Sequence, residues 1–226
     1  MLSIEGKVIP VTRTPVNLHA RLKDGSTVTG EHQIETHIWS EGSHVEKLWL
    51  EPECTLHPLA LQAIKQADLI VIAPGSIFTS LIPNLLVGGM KDALKATKAP
   101  IAYVVNLMTE KGQTGRFSVQ DFAALIETYL GEGQLDYVVY NSKRPERQLL
   151  ERYTKEMERS PVQLDRTFGK VSYQLVGTDL LGKRIPQKQV SDLLSSTRTL
   201  IRHDPQKLAD VLYALTVFKR VQKYLL

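Results

Sequence analysis

Ala67-Asp-Leu-Ile-Val-Ile-Ala-Pro-Gly-Ser-Ile-Phe-Thr-Ser80 decides the fold, because an unbroken apolar run ends in a Pro-Gly-Ser turn followed by a helix start. Such a run predicts a strand buried on both faces, as in a parallel sheet covered by helices. Ligands of open α/β sheets gather at the carboxyl edge, where small residues such as Gly75 and Ser76 let backbone N–H groups approach an anion. The stretch alone is compatible with a phosphate site and equally with a tight structural turn.

From Pro58 onward, helical and strand patterns alternate along the chain, which predicts a parallel sheet. The predicted strands are 68–73, 101–106 and 136–140, with β segments around 162–164 and 171–176. The predicted helices are 58–66, 118–130, 146–158 and a long final helix after Asp204-Pro205. In the helical segment 80–98, Pro83 and Gly88-Gly89 predict a break, with one piece from Ser80 and another from about Met90.

The first fifty residues have a different pattern, rich in short strands. Residues 7–50 read as β-rich, with a hairpin turn at Asp24-Gly25 and a further strand at Val45–Leu50. A polar stretch, 30–44, separates them, and the spacing of its histidines matches no metal-site signature, so we interpret them as surface residues. We expect a single domain over 1–226, with the α/β core at 58–226.

Composition limits the classes of function. The 226-residue chain has a net charge of +4, one cysteine, no secretory signal and no apolar run near the roughly 18 residues that span a bilayer. We therefore expect a cytoplasmic protein without membrane association. Residues 183–226 carry nine Lys or Arg against three Asp, yet they lack aromatic interleaving and any nucleic-acid-binding motif. A solvated helix face is the better interpretation than nucleic-acid binding.

The loop after the second predicted strand, 106–117, is long for a strand-to-helix connection. Its Asn106 and Thr109 could donate hydrogen bonds to a base or sugar, or bond to their own loop backbone. Ser118, with Asp121 three positions later, predicts a capping box for the next helix. The extra length at the ligand edge of the sheet favours a functional loop.

Two further residues are candidates for ligand binding. Arg202 precedes a helix N-terminus marked by Asp204 and Pro205, so it could clamp an anion or form a surface ion pair. Tyr153 lies on a helix of mixed charge and is either a packing residue or a stacking platform. The residues alone favour a packing role for Tyr153 and do not decide between an anion site and a surface ion pair for Arg202.

Three separated stretches together resemble one family. Residues 67–87, then Asn106-Leu-Met-Thr109 with Gly112 and Thr114, then Leu200-Ile-Arg-His-Asp-Pro205 are similar to the gluconeogenesis factors, also called YvcK, of the CofD-like superfamily. The early stretch Gly6-Lys-Val-Ile-Pro10 is similar to middle strands of that family. The resemblance keeps order and spacing over nearly the whole chain.

The resemblance implies a Rossmann-like, three-layer α/β fold with a mainly parallel sheet and a long C-terminal helix. It also implies a cytoplasmic regulatory protein that binds UDP-N-acetylglucosamine and acts in carbon metabolism, cell-wall synthesis and cell shape. The alternative is the CofD branch, whose transferase moves a phospholactate-type group from a GDP-linked donor to a deazaflavin. The resemblance assigns no catalytic or metal-binding residue here, and it leaves room for a divalent cation, a homodimer and regulatory protein partners. It places the ligand at Gly75, Ser76, Thr79, Ser80, Asn106, Thr109, Tyr153 and Arg202.

The chain also departs from the family pattern. Members normally begin with a Gly-Gly-Gly-Thr-Gly turn, followed by Asp-Asp-Gly-Gly and His-Ser-x-Gly-Asn stretches, and none of these is present. We therefore expect a fragment, a misplaced start or a second chain that supplies the first nucleotide-binding unit. Ala73 replaces the usual Gly, and Gly115-Arg116 replaces the usual Asp-Gly, which puts ligand specificity at that loop in doubt.

Overall fold

The computed structural model describes residues 6–41, 44–157, 159–182 and 201–225, without the side chains of 38–41, 152, 153, 155–157 and 218–225. The strands are β1 Asn17–Leu22, β2 Thr27–Thr29, β3 Val45–Glu51, β4 Ile70–Ile72, β5 Ile101–Val104, β6 Tyr137–Asn141 and β7 Gln174–Thr178. The helices are α1 Glu31–Glu41, α2 Pro58–Gln66, α3 Ile82–Leu85, α4 Met90–Ala96, α5 Val119–Leu130, α6 Arg147–Met157 and α7 Pro205–Leu225. A π-helical segment, Ile77–Leu81, runs directly into α3.

Four parallel strands form the central sheet, in the order β4-β5-β6-β7. Alternate side chains of β5 divide between two apolar cores, because successive residues of a strand point to opposite faces. Tyr103 belongs to the core shared with α4 and α5, whereas Ala102 and Val104 belong to the core shared with α6 and α7. All three are fully buried, so the sheet is the middle of three layers and the predicted α/β class is confirmed.

A second, antiparallel sheet of three strands lies against the first of these cores. Its order is β2-β1-β3, and His19 of β1 stands opposite Thr29 and Trp49. Leu18 and Leu22, on the other face of β1, are buried in the same core as α5. The predicted β-rich segment therefore packs as a separate small sheet on the α/β unit.

The strand that ends in the Pro-Gly-Ser turn is not buried on both faces. β4 is the edge strand of the parallel sheet, and Val71 is 37% exposed. The expectation of complete burial was wrong because an apolar run specifies a strand but not its position in the sheet order. Its carboxyl end still leads into the Pro-Gly-Ser turn.

Three further expectations need correction. The polar stretch after β2, to which we had assigned neither a helix nor a strand, forms helix α1. The expected β segment at 162–164 is not a strand, although Pro161 makes an isolated bridge with Met108. Residues 7–10 are likewise irregular despite their apolar pattern. In each case local composition was a poor guide to the backbone.

Helix boundaries followed the local signals more closely. Helix α3 ends at Leu85 and α4 begins at Met90 after Gly89, whose φ of 86° breaks the helical path. The first helical piece starts at Ile77, three residues before the expected Ser80. None of the described helices is both long and apolar enough to cross a membrane.

The long helix α7 is tied to the sheet at its first turn. Asp204 Oδ1 accepts the backbone N–H groups of Gln206 and Lys207 at 3.0 and 3.1 Å, which confirms the predicted N-cap. Lys207 Nζ lies 2.9 Å from Asp179 Oδ2, just after β7, and Lys143 Nζ lies 3.2 Å from the same oxygen. These contacts fix the segment that carries Arg202.

The capping box of α5 gives a first test of the fold. Ser118 Oγ accepts the N–H of Asp121 at 3.2 Å, and Asp121 Oδ2 accepts the N–H of Ser118 at 2.8 Å. We predict that Ser118→Ala lowers the free energy of unfolding by about 1 kcal/mol, the usual cost of a lost N-cap. Urea unfolding checks this value. Thr128→Ala, an exposed position in the same helix, is the matched control and is expected to show no such loss.

The Asp179 contacts give a second test, in acid. The hydrogen bond from Lys207, a backbone hydrogen bond from Leu181, and the hydrogen bond and charge of Lys143 lower the pKa of Asp179 to about 2. Because the folded pKa lies below the unfolded value near 3.8, the stabilisation is present above pH 4 and is lost as the pH falls through about 2. We predict that Asp179→Asn lowers the urea midpoint at pH 6 and that the difference narrows towards pH 2. A difference that stays constant over this range would contradict the assignment.

Candidate functional site

The Pro-Gly-Ser turn lies at the carboxyl end of β4. Ser76 has extended backbone angles and caps the π-helical segment, and its carbonyl accepts the N–H groups of Ser80 and Leu81 at 2.8 and 3.1 Å. Gly75 is closely packed, since a Cβ there would lie 3.3 Å from Leu81 Cδ2. A side chain at position 75 would therefore require Leu81 to shift by a few tenths of an ångström.

Asn106 joins this turn to the end of the neighbouring strand β5. Its Oδ1 accepts the N–H of Gly75 at 3.1 Å, and its Nδ2 donates to the Gly75 carbonyl at 2.9 Å. The reciprocal pair uses both ends of the amide and fixes the position of Asn106. The structure therefore brings Gly75, Ser76 and Asn106 together at one edge, and the Gly75 N–H is already bonded within the protein.

A carboxyl group that the sequence did not single out lies beside Ser76. Ser76 Oγ lies 3.3 Å from Glu110 Oε2 and 3.4 Å from Gln113 Oε1, and it can donate to either. Burial raises the pKa of Glu110, and the charge of Glu35 adds to the rise, whereas Arg159 and the Ser76 hydrogen bond oppose it. The only signal in the sequence was the position of Glu110 in the long loop 106–117.

Thr79 and Glu35 form a second polar pair next to the turn. Thr79 is 4% exposed, and its hydroxyl donates to Glu35 Oε1 at 2.7 Å. Glu35 comes from α1, so the pair depends on a helix that the sequence patterns did not predict. The predicted ligand residue Thr79 is thus committed to a contact within the protein, while the neighbouring Ser80 is exposed.

Thr109 also has partners within the protein. It is 2% exposed, its hydroxyl accepts the N–H of Ser160 at 2.9 Å, and its N–H donates to the Ser160 carbonyl at 2.7 Å. The contact holds the segment after α6 against the loop after β5. In this structure Thr109 therefore has a structural role at the border of the site, because it connects two segments of the chain.

Arg202 lies at the far end of the same edge. Its carbonyl accepts the N–H of Gly182 at 2.9 Å, and its side chain is exposed. The adjacent His203 reaches the carbonyl of Val105, the residue before Asn106, and burial lowers its pKa despite that hydrogen bond. The strand ends thus place the Arg202-His203 pair beside the end of β5.

A cavity of about 800 Å³ opens between the start of α6 and the segment after it. Its polar lining includes Arg144, Arg147 and Ser160. Arg147 Nε also lies 3.0 Å from Glu151 Oε1. Tyr153 lies on α6, but its side chain is outside the described residues, so its predicted contact with ligand stays a prediction.

The sequence did not decide whether the chain binds a divalent cation. Within the described ranges, no group of three or more His, Cys, Asp or Glu side chains could hold a metal ion. Glu35 and Glu110 approach each other near the turn, but Thr79 and Ser76 already bond to them. The described residues therefore offer no set of ligands to which a metal ion can be assigned.

Comparison with known proteins agrees with this architecture. Residues 1–181 match the family described as 2-phospho-L-lactate transferase CofD. The gluconeogenesis factor of Listeria monocytogenes is 35% identical over 95% of this chain, and that of Listeria innocua is 33% identical over 99%. The chain spans 61% and 63% of the length of these two relatives.

The solved structures give the same result. A Bacillus halodurans protein of the UPF0052 family superimposes with a TM-score of 0.78 and 28% identity, covering 94% of this chain and 63% of that protein. The match covers the antiparallel sheet and the parallel sheet together, since it extends over nearly all of the chain. The chain therefore belongs to the CofD family and, within it, to the branch of the gluconeogenesis factors.

Proposed function

We propose that this chain is a nucleotide-sugar-binding regulatory protein that takes UDP-N-acetylglucosamine at the carboxyl edge of its parallel sheet. In this proposal it acts in the cytoplasm, in carbon metabolism, cell-wall synthesis and the control of cell shape. The names of the Listeria relatives, gluconeogenesis factors, support the link to carbon metabolism. Because the chain spans less than two thirds of their length, the activity of the whole relatives is carried over only as a proposal.

The observation that carries the proposal is the set of hydrogen bonds that connects the wall of the cavity to the turn. Ser160 lines the cavity and bonds to Thr109, three residues after the Asn106 that holds Gly75. A cavity of about 800 Å³ is within the usual size range of small-molecule sites. A ligand with a diphosphate at the turn and a base or sugar in the cavity would fit this arrangement.

The charges along the edge suit an anionic ligand. Arg144 and Arg147 line the cavity, and Arg202 is exposed at the other end of the edge. A guanidinium forks onto two phosphate oxygens at once, which gives both charge and orientation. We assign the diphosphate to the region between Ser76 and Arg202, with the hydroxyls of Ser76 and Ser80 as further donors.

A second candidate function is supported by the description of the matching family, 2-phospho-L-lactate transferase. A transferase of this kind would cleave a GDP-linked donor with the help of a divalent cation, for which oxygen ligands are needed. Within the described residues, no group of three or more His, Cys, Asp or Glu side chains could hold such an ion. Competition between GDP and UDP-N-acetylglucosamine distinguishes the two, since the regulatory protein is expected to prefer the uridine ligand.

Removal of the Arg202 side chain tests the proposed anion site. We predict that Arg202→Ala weakens the binding of UDP-N-acetylglucosamine by about 1.5 to 3 kcal/mol, because a hydrogen bond between charged partners is lost. Isothermal titration calorimetry with the whole chain gives the dissociation constants. Lys98→Ala is the matched control, because Lys98 is an exposed cation directly before β5, at the opposite edge of the sheet.

Equal losses in both variants would show only a general effect of charge. An unchanged dissociation constant in Arg202→Ala would remove Arg202 from the site. If the unmodified chain does not bind UDP-N-acetylglucosamine at all, the proposed function is wrong for this chain.

A further inference from the structure

The polar cluster beneath the Pro-Gly-Ser turn holds a carboxyl group that the proposed binding scheme does not use. Glu110 is half-buried, and its Oε2 lies 3.3 Å from the hydroxyl of Ser76. Its backbone is fixed as well, because its N–H donates to Thr114 Oγ1 at 2.9 Å. This contact holds the backbone of Glu110 in place next to Ser76.

Charged and titratable groups face Glu110 from several elements. The carboxylate of Glu35 approaches from α1, the guanidinium of Arg159 from the segment after α6, and Tyr103 from β5. Lys111 is the next residue of its own loop. Burial and the Glu35 carboxylate favour the protonated form of Glu110, whereas Arg159 and the Ser76 hydrogen bond favour the charged form. A further negative charge nearby would shift this balance towards the protonated form.

We propose that Glu110 takes up a proton when a diphosphate binds at Ser76, so that nucleotide-sugar binding is linked to pH. The proposal rests on the proposed function, because it places the diphosphate at the turn. The proton comes from the solvent and is bound by a Glu110 oxygen, and no covalent bond of the ligand changes. Glu110 acts here through Ser76, as a positioning residue.

The hydrogen-bond geometry gives the reason. In the structure described here the Ser76 hydroxyl can donate to Glu110, so a phosphate oxygen would compete for the same hydrogen atom. A protonated Glu110 reverses that bond: its O–H donates to Ser76 Oγ, and the Ser76 hydrogen is released towards the ligand. Protonation also removes one of two negative charges that would otherwise lie within a few ångströms of each other in a partly buried site.

The partial burial of Glu110 favours its protonation. Its pKa is already raised above the ordinary value by burial and by Glu35. A diphosphate nearby would raise it further, for the same electrostatic reason. The Tyr103 hydroxyl stays neutral at physiological pH, because burial and the charge of Glu110 raise its pKa above the ordinary value.

Calorimetry in two buffers of different ionisation enthalpy tests the proposal, because it counts the protons bound with each UDP-N-acetylglucosamine. The ligand is a diphosphate diester and does not itself titrate near neutral pH. We expect uptake of up to about one proton, with affinity falling by up to about tenfold per pH unit between the pKa of Glu110 in the free chain and its raised pKa in the complex. Proton uptake by the unmodified chain is the primary measurement.

The variant Glu110→Gln imitates the protonated state, because its amide can donate to Ser76 Oγ as a protonated acid does. We expect this variant to bind without Glu110-linked proton uptake and with an affinity that changes little with pH. Glu132→Gln, an exposed acid after α5, is the matched control and should behave like the unmodified chain.

Binding with no proton uptake by the unmodified chain, or equal uptake by Glu110→Gln, would overturn this inference and leave the proposed function intact. A chain that does not bind UDP-N-acetylglucosamine at any pH would overturn both. The two failures are therefore distinguishable in one set of titrations.

Discussion

The burial of β5 on both faces is the constraint on which the rest of the molecule depends. Ala102, Tyr103 and Val104 have no exposed surface, so each face of the strand must be covered by other elements. Helices α4 and α5 with the small antiparallel sheet cover one face, and α6 and α7 cover the other. Because the strand is fixed from both sides, the loop that follows it begins at a defined point, and Asn106 is that point.

Polar groups at this edge are arranged around a few fixed contacts. Asn106 bonds to both the N–H and the carbonyl of Gly75, and Thr109 bonds to both the N–H and the carbonyl of Ser160. Ser76 and Glu110, in contrast, share one hydroxyl hydrogen in a region with a second carboxylate nearby. The first two contacts give rigidity, whereas the third can be exchanged for a ligand, and this difference is the basis of the functional account.

Features specified by neighbouring residues were predictable from the sequence. The capping box at Ser118, the N-cap at Asp204 and the helix break at Gly89 each depend on a few consecutive positions, and each is present. The edge position of Val71 was not predictable, because it depends on which strands pair.

The candidate site was predictable in part for the same reason. The turn and Asn106 directly follow two apolar strands, so their meeting at one edge of the sheet could be inferred from the sequence alone. Glu35 reaches Thr79 from α1, and Glu110 meets Arg159 from a distant segment, so both depend on contacts between remote parts of the chain. Strand and helix patterns carry no information about such contacts. Helix α1 itself was not predicted, because its polar composition shows no apolar helical pattern.

The most direct test of the central claim is the map of backbone amide chemical shifts as UDP-N-acetylglucosamine is added to the isotopically labelled chain. The account predicts the largest changes at Ser76, Asn106 and Arg202 and around the cavity that Arg144 lines, with small changes near Lys98 and Glu132 at the opposite edge of the sheet. Changes concentrated at that opposite edge, or no changes at saturating ligand, would contradict it.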